Sequence, residues 1–182
     1  MQITTKHVLT VLHVLAWIIF IGLALQAGII IVNAILLFVV SPANHDKLWS
    51  EIDLRSLFNY NKSYFISHVT AIIIVALAKA LIFYFIIKIS NDKRLSLAKP
   101  FGEPGRKIMQ LVAYFSLIIG LFAGGAAKHN EWLIEKGVQM PSAALQHIDG
   151  ADVWIFMGIV VFVLAKIFKR GAEIQSEHEL TI

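Results

Sequence analysis

The chain has 182 residues, a formal net charge of +4, 58% apolar residues and no cysteine. Disulfides, iron–sulfur clusters, thiolate zinc sites and a cysteine nucleophile are therefore excluded, and the length suits one domain, residues 1–182. A mean hydropathy of +0.73 would be extreme for a soluble protein of this size, so lipid is expected to receive the apolar surface. The positive excess lies beside the apolar stretches, where anionic headgroups attract it, and no direct nucleic-acid binding is expected.

Four stretches are long enough to be considered as spans, since a helix crosses a hydrocarbon core of about 30 Å with about 20 residues. The first, residues 8–40, contains no Asp, Glu, Lys or Arg. It is longer than a signal-peptide core and lacks a small-x-small cleavage site near its end, so it reads as an uncleaved span. At 33 residues it would extend about 50 Å as a helix and must tilt, bend near Gly22 or Gly28, or project into water. Gln26 and Asn33 lie seven residues apart on one face and suit interhelical hydrogen bonds. Ser41-Pro42 ends the stretch.

The following segment, 43–65, is polar and aromatic. Asp46–Leu54 has the spacing of a short amphipathic helix on the interface, and Trp49, Tyr60 and Tyr64 suit an interfacial aromatic belt. The second span covers 66–87. Next comes the Lys88–Lys107 connection, with Pro100, Pro104, Gly102 and Gly105 as turn signals. The third span, 108–127, carries Ser116, Gly120 and Gly124 at four-residue intervals. Such a small-residue face permits close helix contact, either within the chain or with a second copy. The fourth span, 153–168, leads into a short polar tail, 169–182.

Basic residues in the connections set the orientation. Lys88, Lys93, Arg94, Lys99, Arg106 and Lys107 crowd the middle connection, whereas Lys128–Asp152 has only Lys128 and Lys136. A basic middle connection in the cytoplasm places both termini there too. The expected fold class is all-α: an integral membrane four-helix bundle, multi-pass, with both termini cytoplasmic.

Chemistry is sparse. His13 lies near the inner end of the first span and His68 at the outer end of the second, so they cannot share a haem, and no cofactor is expected. His68, His129 and His147 fall on the outer side with Glu131, Asp149 and Asp152. Three imidazoles and a carboxylate would suit zinc or oxidised copper, although the spacing matches no metal motif. Lys79 is the costliest residue, a charge inside a span. Its stem can snorkel towards cytoplasmic headgroups, or it can meet His13, a lipid or a ligand. No nucleophile has a base or acid partner at its own depth, and no glycine-rich phosphate loop occurs, so no catalytic residue is assigned and the protein is expected not to be an enzyme.

Two stretches carry a resemblance: Leu95-Ser96-Leu97-Ala98-Lys99-Pro100-Phe101 after the second span, and the terminal run Ile167–Ile182, which reads Phe, basic pair, Gly, Gln, acidic, Leu-Thr-Ile. The chain resembles the bacterial four-span membrane family catalogued as domain of unknown function 2975. His178 departs from the polar residue expected there. The resemblance implies no established activity. It implies a sensory or regulatory partner of a small cytoplasmic helix-turn-helix DNA-binding regulator. The tail residues Lys169, Arg170, Gly171, Gln175, Glu177 and Leu180 are the candidate docking residues; the alternative is that Phe168–Ile182 continues the fourth span as a helix and packs on the basic connection. The alternatives are a lipid- or small-molecule-binding or transport protein using Lys79 and His13, and an outer metal-binding protein.

Overall fold

The structure, a computed structural model, describes residues 5–39, 52–90 and 103–179, with side chains over 10–36, 52–88 and 105–174. Every described element is an α-helix: α1 (Thr5–Val39), α2 (Arg55–Tyr60), α3 (Lys62–Ser90), α4 (Glu103–Glu135) and α5 (Ala151–Glu179). The four long helices are long and apolar enough to cross a membrane, over Thr10–Leu36, Lys62–Lys88, Gly105–Glu135 and Ala151–Ile174.

The helices outrun their apolar stretches because capping, not hydropathy, ends them. α3 starts at Lys62 because Asn61 is its cap, with Oδ1 accepting from the Ser63 and Tyr64 amides at 2.8 and 3.2 Å; such a cap satisfies amides that the helix leaves unpaired. α5 likewise continues through the tail to Glu179. Of the expected amphipathic helix at Asp46–Leu54, residues 46–51 lie outside the described residues and 52–54 are not helical; the short helix here is α2.

The expected four-helix bundle does not close. α1 packs on α3, α3 on α4 and α4 on α5, and the remaining long-helix pairs share only marginal contact. The result is an open row with α1 and α5 at its edges. The amino-acid pattern of α1 is apolar all round and selects no face, as expected of a helix that meets apolar surroundings on every side.

The α4–α5 contact is set by missing side chains. A Cβ on Gly120 would collide with Ile155 Cγ1 and lie 2.9 Å from the Ala151 carbonyl; one on Gly158 would lie 2.8 Å from Leu117 Cγ and 3.1 Å from the Ala113 carbonyl. Gly124 faces Ala151, and Ser116 is fully buried. The Ser116, Gly120 and Gly124 stripe is thus covered by α5 of the same chain.

This register places the start of α5 beside Gly120 and Gly124, about 16–22 Å along α4 from its end at Glu135. The connection 136–150 must therefore fold back along the bundle. The core collects at that end, where Leu57, Phe65, Val69, Ile72 and Leu133 meet Val138 and Ile148 from the connection.

Candidate functional site

The folded-back connection is built from two successive turns of one kind, the first of which ends α4. After α4, Gly137 takes the left-handed region at φ 82. Its amide donates to the Ile134 carbonyl, and the Val138 amide donates to the Leu133 carbonyl. That is the Schellman pattern, and the accompanying apolar contact is between buried Val138 and Leu133. The same pattern recurs ten residues on: the Ile148 amide donates to Ala143 and the His147 amide to Ala144. Here the left-handed position, φ 56, is occupied by His147. A side chain at such a position is strained, although histidine tolerates it better than most.

Just before this turn, the Gln146 side chain enters the bundle and is 1% exposed. Its Nε2 donates to Asn130 Oδ1 at 2.9 Å and to the Pro141 carbonyl at 2.8 Å. Both contacts need a donor, so its Oε1 must face His68 Nε2, 2.6 Å away. The oxygen accepts only, which puts the His68 proton on Nε2. Asn130 Nδ2 also donates to the Pro141 carbonyl, at 3.1 Å. His68, Gln146 and Asn130 thus join α3, α4 and the connection through polar groups buried at the end of the row. His68 Nδ1 is buried with no hydrogen-bond partner among the described residues.

Lys79 holds the other side of the connection. Its Nζ donates to the His147 carbonyl at 2.8 Å and stands 5.6 Å from the centre of the Trp154 ring. A helical side chain leans towards the helix N-terminus, and for Lys79 that is the end of α3 at which the connection folds in. The ammonium is therefore directed away from the basic 88–107 side to which snorkelling would have taken it. A carbonyl and an aromatic face supply part of what water would otherwise provide.

His13 is elsewhere. The Trp17 indole N–H donates to His13 Nε2 at 3.1 Å, and an aromatic ladder continues from Trp17 through Phe20 to Tyr84. Gln26, which lines the recess beside Lys79, is 13 residues or about 20 Å along α1 from His13. The structure does not bring His13 and Lys79 together.

His68, His129 and His147, the histidines of the expected metal site, are only partly gathered. His68 and His129 have ring centres 5.4 Å apart, and Tyr64 and Trp132 flank His129. His147 engages the site through its backbone carbonyl, with its side chain exposed. Among the described residues no group of three or more His, Cys, Asp or Glu is placed to hold a metal ion, so the three-imidazole arrangement is not assembled.

In the tail, Lys169 and Arg170 approach Glu173 at 3.7 and 3.2 Å on the exposed surface of α5, pairs of small energetic weight. Gly171 is within the helix; Gln175 and Glu177 are placed by their backbone only, and Leu180 lies outside the described residues. Gln146 and Asn130 were not foreseen from the sequence. Their signal was faint: two neutral amides, each adjacent to a histidine, close to apolar Ile148 and Leu133.

Compared with known proteins, the chain matches no family model, no curated protein and no solved structure.

Proposed function

We propose that this protein is a non-enzymatic sensory or regulatory module of a bacterial inner membrane, with both termini in the cytoplasm. In this reading the α4–α5 connection is the responsive element and the tail is the output. The observation that carries it is the continuity of α5, one helix from Ala151, directly after the pinned connection, to Glu179 in the charged tail. A rearrangement that unpins the connection moves the start of α5, and an uninterrupted helix transmits such a displacement as a rigid element. The pins proposed are the polar contacts of Gln146 and Lys79, beside a core of apolar side chains.

The partner in this reading is a small cytoplasmic DNA-binding regulator, recognised by the exposed Lys169, Arg170 and Glu173 together with the residues that follow. The full chain and a form lacking Gly171–Ile182 would be purified in mild detergent, and the co-purifying proteins identified by mass spectrometry. A small DNA-binding protein retained by the full chain and lost on truncation, with equal membrane insertion of both, supports the reading. Equal partner retention by the truncated form removes it.

A further inference from the structure

A cavity of about 430 Å³ lies between α1 and α3, lined by Phe20, Ala24 and Gly28 on one side and Leu77, Leu81 and Tyr84 on the other. We propose that this recess holds one acyl chain of an anionic glycerophospholipid, with the headgroup at the Lys88 end. This assignment is separate from the regulatory reading and uses different residues.

The room comes from small side chains. A Cβ built on Gly28 meets nothing within 4 Å, and Ala24 and Ala80 line the same recess. An empty apolar volume of this size forfeits the dispersion contacts of its walls, so an apolar occupant is favoured over a void or over water, which needs polar partners. The rim residues Leu77, Leu81 and Tyr84 are 43%, 38% and 43% exposed. The recess is therefore open sideways, where a lipid enters without crossing a barrier.

Length and charge select the occupant. Leu77, Leu81, Tyr84 and Lys88 follow intervals of four, three and four and form one stripe along α3. From Leu77 to Lys88 is 11 residues, about 16 Å along the helix, close to half of a hydrocarbon core of about 30 Å and so to the depth of one leaflet. Lys88 is exposed in the last turn of α3 and opens the segment that also carries Lys93, Arg94, Lys99, Arg106 and Lys107. Basic residues at a membrane surface attract anionic headgroups. The antiparallel pairing of Phe20 with Tyr84 puts the Trp17 and His13 end of α1 beside the same headgroup level. Lys79 is not part of this recess; it borders a separate one with Gln26, Gln146 and His147.

The test reconstitutes the full chain in bilayers of equal parts phosphatidylglycerol and phosphatidylcholine, extracts it in mild detergent and counts retained lipids by native mass spectrometry. The wild type should retain one phosphatidylglycerol, with about a fivefold preference over phosphatidylcholine, the effect of one basic residue at the surface. Gly28→Phe fills the recess and should release that lipid. Gly125→Phe adds the same bulk where a Cβ also meets nothing within 4 Å and should retain it. Lys88→Gln should keep a bound lipid and lose the headgroup preference. Helix content and monodisperse elution establish folding; if Gly28→Phe fails them, Ala24→Phe fills the same recess and is read instead. Equal retention by a folded filling variant, equal retention of the two headgroups by the wild type, occupancy by a non-lipid molecule, or a dimer that the filling variant dissociates would each overturn the proposal.

Discussion

The ammonium of Lys79, in α3, donates a 2.8 Å hydrogen bond to the carbonyl of His147, a residue held in the left-handed region at φ 56. The charged group in the middle of an apolar helix thus secures the one left-handed non-glycine backbone among the described residues. Each helps explain the other: the strained turn aims the carbonyl at α3, and the cation gives that carbonyl a donor. The connection is fastened from α3 at two levels, by Lys79 through a backbone atom and by His68 through the Gln146 side chain.

Replacing Lys79 with methionine should loosen the connection while leaving the helices formed. A hydrogen bond to a charged group contributes about 1.5–3 kcal/mol, so amide exchange across residues 139–150 should accelerate by at least about tenfold. Exchange measured on the protein in lipid nanodiscs decides this; an unchanged rate would show that Lys79 does not hold the connection.

His147→Gly should behave in the opposite way. Glycine keeps the carbonyl that Lys79 uses and accepts positive φ without the strain of about 1–2 kcal/mol that a side chain meets there. Thermal unfolding in detergent should show a midpoint equal to or above that of the wild type. A clearly lowered midpoint would mean that the imidazole itself contributes.

Gln146→Leu should be among the most damaging single changes at this end of the row. It leaves the His68 Nε2 proton, Asn130 Oδ1 and the Pro141 carbonyl without this partner, and each buried group left unsatisfied costs about 1–3 kcal/mol. The double variant His68→Leu/Gln146→Leu should be less destabilised than the sum of the two single changes. A double-mutant cycle by chemical unfolding in detergent measures the difference, and simple additivity would refute a direct link between the two side chains.

At the α4–α5 contact, Gly120→Ala and Gly158→Ala should each destabilise by about 1–3 kcal/mol through overpacking, because a Cβ would press on Ala151 and Ile155 or on Leu117. Gly125→Ala, with open space around it, should be nearly neutral. Thermal midpoints of the three variants check this; equal midpoints would contradict the close approach.

Asp53 supplies a modest pH dependence. Its carboxylate accepts from Arg55 Nε at 3.0 Å and from the second guanidinium nitrogen at 2.7 Å. Hydrogen bonding to the Arg55 side chain holds its pKa below the ordinary value, against an opposing effect of burial. A lowered folded-state pKa gives stability that is present above the unfolded value near 3.8 and is lost as pH falls through the folded one. Both side chains are substantially exposed, so screening limits the effect to about 1 kcal/mol or less. Asp53→Asn should lower stability by that small, constant amount above about pH 6 and converge on the wild type at acid pH, flattening the acid limb, as followed by unfolding at successive pH values.

Four helices of spanning length were legible in the amino-acid order because hydropathy accumulates over contiguous residues and depends on no partner. Their ends were less legible. The third apolar stretch stops at Ala127, yet α4 continues to a Gly137 turn; the second begins near Ile66, yet α3 begins at the Asn61 cap. The basic 88–107 segment was visible in the same contiguous way, and with it the charge that the proposed lipid headgroup uses.

What only the tertiary structure decided is which faces meet. His68 and Gln146 are separated by 78 positions and Lys79 and His147 by 68, and no local periodicity relates them. A helix such as α1, apolar on every side, does not encode its own rotation, so its pairing with α3 and the recess at Gly28 had to await the structure. The folded-back connection follows from the close approach at Gly120 and Gly158, where absent side chains rather than hydropathy set the depth at which α5 begins.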